Sequence, residues 1–281
     1  MALEEFAVQY IREVKAKDPG IGVMKVWAMY CRSFGERDRI GRDRFCDIFD
    51  LYGFKIRRRR RVRTTDSRHK NPPYPNIVRE IIPTRFGEII VGDITYIPLE
   101  SSDSQRGLCY VSLLMDSYSK LVLGSSAGMT LETQYPMEAL TTAIETLKSH
   151  GVHLSHTIHH SDRGVQSTCA DYVTMLHKNK IMISGNPKDN AEANRINNTL
   201  KNELFKDMKF SHITHVREAL RKALLLYNHE RPHLSLEMRT PSIAANETGR
   251  FKRVWISYRE RDKDTMKDDN TEIKDQFKAT G

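Results

Sequence analysis

Cysteine is scarce in this chain, with four in 281 residues, at positions 31, 46, 109 and 169. Spacing that wide excludes both a disulfide scaffold and a zinc ribbon built on CxxC pairs, so all four are expected as reduced, mostly buried thiols. Long apolar runs are absent too. Nothing approaches the roughly 18 consecutive apolar residues of a membrane span, and the N-terminus MALEEFAVQYIREVK is a charged amphipathic helix rather than a signal peptide. The expected compartment is therefore the cytoplasm. With 39% hydrophobic and 29% charged residues, the chain can bury one substantial core and a second small one.

Charge is plentiful but unevenly placed. Residues 1–70 carry 18 Lys or Arg against 10 Asp or Glu, and hold nearly all of the net charge of +9. The partner of this segment should be an anion. Within it, KIRRRRRVR places seven cations in nine residues: Lys55, Arg57, Arg58, Arg59, Arg60, Arg61 and Arg63. Such a run repels itself until a polyanion neutralises it, which favours nucleic acid over a solvated tail.

Before that run the sequence reads as three short helices. Phe6, Tyr10 and Val14, then Val23, Val26, Trp27 and Tyr30, recur at helical spacing, and Pro19-Gly20 separates the two sets. Asp43 to Tyr52 brings Phe45, Ile48 and Phe49 to one side, with Gly53 as a stop. Three helices with a basic exit suit a small DNA-binding module, and suit a plain helical bundle nearly as well. The proline-bearing stretch at 64–83 reads as a linker.

Beyond the linker the pattern changes. EIIVGDITYIPL (88–99), GLCYVSLLMD (107–116) and KLVLGSSAG (120–128) read as strands, the first two joined by a loop at 101–105 and the last two by a turn at 117–119. A helix with Met137, Leu140, Ala143, Ile144 and Leu147 on one side follows, stopping at Gly151. A fourth strand then ends at Asp162. These elements predict an α/β layer with a mixed sheet. Histidines at 150, 153, 156 and 159 recur every third residue, but Gly151 breaks the helical spacing, so solvated or core histidines are expected rather than a zinc site.

Asp93 lies in the middle of an otherwise apolar strand. Burying a carboxylate costs several kcal/mol unless a cation or donors compensate it. If the first and fourth strands are neighbours, Asp93 and Asp162 point at one site, and two carboxylates suit Mg²⁺ or Mn²⁺. Farther on, a helix from 191 to 205 carries Ile196, Leu200 and Leu204 on an apolar side and Arg195, Lys201 and asparagines on a polar one that could lie along phosphate. Ser211 is a candidate N-cap for a last helix with Ile213, Val216, Leu220, Ala223 and Tyr227 as its core stripe, ending at Pro232. After it, Trp255 and Tyr258 can still pack, and the remaining tail is charged and poor in apolar residues.

GDITYI around Asp93, HHSDRGVQST around Asp162, DNAEANRINNTLKNE at 189–203 and YNHERPHLSL at 227–236 resemble the OrfB transposases of bacterial insertion sequences with two overlapping reading frames. These belong to the retroviral-integrase-like group. The resemblance covers nearly the whole chain, to TPSIAA at 240–245. It implies an RNase H-like integrase core over 84–245, a basic helical DNA-binding segment over 1–63, and a short charged appendix over 246–281. It also implies a DDE site with two Mg²⁺ or Mn²⁺ ions, Asp93 and Asp162 as metal ligands, and cleavage and transfer of double-stranded DNA. Lys55, Arg57 to Arg61, Arg63, Arg195 and Lys201 would bind that DNA. Assembly as a homo-oligomer on transposon ends, in a bacterial, nucleoid-associated setting, and a first-frame segment joined by frameshift are further implications.

One position departs from that pattern. In similar proteins the third carboxylate follows the Asp of the DNA tripeptide by five residues, which here is Asn194. A count of 35 intervening residues from Asp162 gives Asn198 instead. Neither is acidic, and Glu192, two residues from Asn194, is turned about 160° from it on a helix. Catalysis is expected to be impaired, with a DNA-binding descendant that no longer cuts, or a nuclease that hydrolyses without joining, as the competing readings.

Overall fold

The computed structural model describes residues 2–55, 74–100, 107–161, 169–185 and 190–252. The chain opens with helices α1 (Ala2–Lys17), α2 (Val23–Ser33) and α3 (Arg42–Leu51), which close around Ala7, Ile11, Val26, Tyr30, Phe45 and Phe49. Gly53 follows α3 with φ +69, a left-handed turn that glycine takes without the clash of a Cβ. The buried stripe of α1 is centred on Ala7, Ile11 and Val14 rather than on the Phe6–Tyr10–Val14 line. Phe6 is exposed, and both it and Tyr10 meet the Phe34 ring edge-on at the margin of the bundle.

The rest of the described chain is built on one mixed sheet. Strands β1 (Ile89–Leu99), β2 (Gly107–Asp116) and β3 (Val122–Gly128) form an antiparallel meander. Helix α4 (Gln134–Ser149) then leads to β4 (Ile158–Ser161), and α5 (Ala170–Lys178) to β5 (Met182–Gly185). The strand order is β3-β2-β1-β4-β5, with β4 parallel to β1 and β5 parallel to β4. This is the RNase H-like arrangement, and it puts β1 at the centre. Helix α5 and strand β5 have no counterpart in the sequence reading. β3 begins two residues later than expected because Lys120 adopts φ 62 and closes the turn, its N–H on the Asp116 carbonyl.

Alternation along β1 sends Ile89, Val91, Ile97 and Leu99 to one side of the sheet and Ile90 to the other. The first side is covered by α6 (Ala191–Thr199) and α7 (Ile213–Leu225) through Ile196, Leu200, Val216 and Leu220. On the other side α4 and α5 bring Leu140, Ile144, Leu147 and Leu176. At Gly124 a Cβ would stand 2.1 Å from the Ala139 carbonyl oxygen, so only glycine lets α4 approach β3 this closely. The N-cap of α7 is His212, whose ring accepts from the Thr214 N–H, one residue past the expected Ser211. Short helix α8 (Pro241–Ala244) closes the described part. Among the described residues no helix is long and apolar enough to cross a membrane.

Helices α6 and α7 both end in a π-helical turn, Leu200–Leu204 and Leu226–Glu230. The two turns meet at Arg231. Its side chain, 1% exposed, pairs with Asp18 at 2.8 Å and with Glu203. Lys25 lies 3.8 Å from Glu203, and Gly20 donates its N–H to the Glu203 carbonyl at 3.1 Å. Burial pushes the Lys25 ammonium down to about 8, with Arg231 adding to the shift and Glu203 and Asp18 opposing it. Asn228 adds a second clamp, donating to the Val122 carbonyl and accepting from its N–H, both at 3.0 Å.

At the end of β2, Asp116 is fully buried. Its Oδ1 accepts from the Gly87 N–H and its Oδ2 from the Ser119 N–H and hydroxyl. Burial raises this carboxyl to about 6, with the Ser119 and Gly87 hydrogen bonds opposing the shift.

Two consequences can be measured. Arg231→Ala strands two acids around one buried site and should cost about 3–5 kcal/mol of unfolding free energy, read as the urea midpoint at pH 7, with part of it recovered when Asp18→Leu is added to Arg231→Met. The Asp116 carboxyl is raised on folding, so the stability it contributes is full below the ordinary carboxyl range and is lost as pH rises through about 6. Denaturant titrations of the native chain and Asp116→Asn should therefore differ more at pH 4.5 than at pH 7.5.

Candidate active site

Asp93 stands on β1 between Gly92 and Ile94, on the side covered by α6, and its side chain is half-buried. Its Oδ1 accepts from the Ile94 N–H at 2.9 Å. Its Oδ2 accepts from Asn197 Nδ2 at 2.7 Å. Helix α6 runs along the strand here. Asn190, just before it, donates from Nδ2 to the Gly92 carbonyl at 3.0 Å, and Lys201, one turn beyond Asn197, holds its Nζ 4.8 Å from the centre of the Tyr96 ring. Burial lowers the Lys201 ammonium, while the Asp93 charge pulls the other way. Residues 190, 194, 197 and 201 thus form one stripe along β1, as a 3.6-residue period requires.

Asn194 lies within that stripe. It is exposed, and its Nδ2 donates back to the Asn190 carbonyl at 3.0 Å. Asn198, the alternative count, one turn beyond Asn194, is exposed as well. Asn197 was not singled out from the sequence, although its spacing of three from Asn194 and four to Lys201 was the available signal. Asn190 and Asn197 are both more than nine-tenths buried, and the Oδ1 of each has no hydrogen-bond partner.

Glu192 faces away from this stripe. It accepts from the Ser117 hydroxyl at 2.6 Å and from the Lys120 ammonium at 2.8 Å. Burial works against its charge, and Lys120 with these two hydrogen bonds outweighs it, holding the carboxyl below its usual range. Glu192 and exposed Arg195 line a cavity of about 370 Å³ together with Tyr227, His233 and Phe251, on the flank of α6 away from Asp93.

The parallel pairing of β1 and β4 ends at Gly92 opposite Ser161. Asp93 and Asp162 are the next residue of each chain segment. Asp162 lies outside the described residues, as do Arg57, Arg58, Arg59, Arg60, Arg61 and Arg63 of the basic run. Lys55, at the start of that run, pairs with Asp50 at 2.5 Å on the surface. The histidines do not gather. His159 is buried against the Tyr172 hydroxyl at 3.0 Å, and burial, with His160 beside it, pushes its ring down to about 3, so it stays neutral. His160 shares a 2.9 Å hydrogen bond with Ser184, and His150 packs on Phe86. Among the described residues no group of three or more His, Cys, Asp or Glu could hold a metal ion.

Two family models described as integrase core domain match the chain, over residues 83–191 and 178–241. A putative transposase for insertion sequence element IS986/IS6110 of Mycobacterium tuberculosis (strain ATCC 25177 / H37Ra) is 30% identical over 235 residues, 79% of this chain and 81% of the relative. The transposase for insertion sequence element IS629 of Shigella sonnei is 28% identical over 64% of this chain and 58% of its own length. Among solved structures, the HTLV-2 integrase catalytic core domain in complex with magnesium, in its dimeric form, matches at TM-score 0.42 and 16% identity, over 58% of this chain and 98% of that one. With the mixed sheet and its central aspartate, the two family models and the transposase relatives make the chain a member of the insertion-sequence transposases of the DDE, retroviral-integrase-like superfamily.

Proposed function

We propose that this chain acts in metal-dependent strand cleavage and strand transfer at the ends of an insertion sequence. Its site is built on Asp93 and Asp162, with Asn194 in the third ligand position. The observation that carries the reading is the placement of Asp93: a carboxylate on the central strand, facing α6, immediately beyond the last β1–β4 register pair. The donors around it are oxygens, counting the unpartnered buried Oδ1 of Asn197, and such a set fits Mg²⁺ or Mn²⁺ rather than a thiolate-seeking ion. Two such ions, when bound, activate a nucleophile and stabilise the departing oxygen of a phosphodiester. The chain's own groups hold and aim: Asp93 and Asp162 bind the cations, Lys201 faces phosphate beside Asp93, Arg195 meets phosphate from the opposite flank of α6, and Lys55, Arg57 to Arg61 and Arg63 neutralise the DNA backbone. The basic helical segment over 1–63 and the core over 84–245 divide these tasks, and the active form is a homo-oligomer on DNA, with a first-frame segment as fusion or partner.

Asn194 weakens the chemistry. A neutral amide offers one oxygen but lacks the charge that helps hold a second cation, and it cannot accept a proton. Here its Nδ2 donates to the Asn190 carbonyl, which turns the amide back along its own helix. That contact favours the second reading, a descendant that binds DNA and regulates without cutting.

On DNA carrying the element's own ends, Asn194→Glu should raise Mn²⁺-dependent cleavage and joining by about 100-fold, the scale of one lost charge-stabilising group, and adding Asp93→Asn should abolish the gain. Full activity of the unaltered chain would sink the assignment of Asn194; inactivity of both with DNA binding intact would favour the regulatory reading. Separately, replacing Arg58 to Arg61 by alanine should weaken DNA binding at every sequence tested and flatten the dependence of log affinity on log salt by about 3 to 4.

A further inference from the structure

Of the α6 side chains facing β1, Asn197 is the one bonded to the Asp93 carboxylate. The residue is 6% exposed, and Ile196 and Leu200 beside it are buried in the main core, so its side chain has little freedom to turn away. A polar amide at such a depth is costly unless both ends are used. Its Nδ2 is used, on Asp93 Oδ2, and its Oδ1 is buried without a hydrogen-bond partner. The amide is oriented by the carboxylate, and the carboxylate is in turn held at both oxygens, Oδ1 by the Ile94 N–H and Oδ2 by Asn197. Two donors at fixed points set the plane of a carboxylate.

We propose that Asn197 is the positioning residue of this site, its amide fixing the orientation of the Asp93 carboxylate so that it meets a divalent cation already aimed. This rests on the reading of Asp93 as a cation ligand. Groups that orient a ligand from behind matter to metal affinity almost as much as the ligand does. The role differs from that of Asn194, which stands where a third ligand is expected. Asn197 acts through Asp93 and needs no contact with the ion.

The test uses the full chain and Mn²⁺ alone, with binding followed by calorimetry and unfolding by a thermal scan in chelator and in Mn²⁺. Asn197→Ala should weaken Mn²⁺ binding about tenfold. A merely structural role would lower the melting temperature in chelator and leave the affinity of the folded chain unchanged. Asn197→Leu removes the amide donor at nearly constant volume, so it should weaken Mn²⁺ binding as Asn197→Ala does. Should Asn197→Ala bind Mn²⁺ as tightly as the native chain while Asp93→Asn loses it, the ligand stands and the positioning role falls. Undiminished binding by Asp93→Asn would remove the ligand reading and the proposal with it. If Asn197→Ala does not fold, Asn197→Leu decides, and Mn²⁺ binding as tight as native overturns the proposal.

Discussion

A guanidinium with 1% of its surface in contact with solvent has to be matched by charge, and Arg231 is matched by two acids from distant parts of the chain, Asp18 and Glu203. This contact ties the loop after α1 to the end of α6 and the end of α7. It also explains the two π-helical turns. In each, one residue of slack lets the last N–H reach back five residues, from Phe205 to Leu200 and from Arg231 to Leu226, and the helix ends where the ion cluster forms. Gly20 is part of the same joint, since a Cβ there would lie 2.2 Å from the Glu203 Cα. The N-terminal helices therefore sit directly on the far end of the helix that runs past Asp93.

Helix α6 is fixed at both ends by different means. At its start, Asn190 bonds the β1 backbone at Gly92, and Glu192 is anchored to the β2–β3 turn by Ser117 and Lys120. That turn is itself set by buried Asp116, which gathers the Gly87 and Ser119 donors. At its finish, Glu203 is held by Arg231 and Lys25. Between these anchors the helix has no freedom to slide or roll along β1. A side chain in the stripe at 190, 194, 197 and 201 meets the strand at a height decided by contacts made elsewhere, which is how a site on a rigid element keeps its geometry.

Much of this was legible in the sequence. Near-continuous apolar, β-branched runs gave β1 and β2 almost to the residue, because one side of the sheet packs against α6 and α7 and the other against α4 and α5. Asp93 could be read because a carboxylate interrupts that apolar pattern. The fifth strand was not readable: four residues, MISG, at a sheet edge carry no period, and α5 ahead of it buries only Tyr172 and Leu176. The phase of α1 was misplaced by one residue because aromatic rings at the rim of a bundle look, in sequence, like rings at its centre. Asn197 was missed for a related reason. Apart from its spacing from Asn194 and Lys201, nothing in the sequence set this asparagine apart from Asn194 or Asn198, and only the strand packed against α6 decides which one reaches Asp93.

The amides of α6 alter the balance between stability and chemistry at this site. Where a carboxylate faces another across a half-buried gap, each disfavours the charge of the other, and the strain is relieved only when a cation enters. An amide removes that repulsion and adds a donor. In this chain Asp93 is satisfied by Asn197 and lies in the field of Lys201, so the core needs no cation to hold β1 against α6. The same feature lowers the electrostatic demand that would draw two divalent ions to the site. An amide at position 197, in place of a carboxylate there, therefore favours a self-satisfied seam over a cleft that needs a cation, the direction in which stability and activity are generally opposed. On the proposed reading the seam keeps its shape, and what it gives up is negative charge at position 194, where a third ligand would stand.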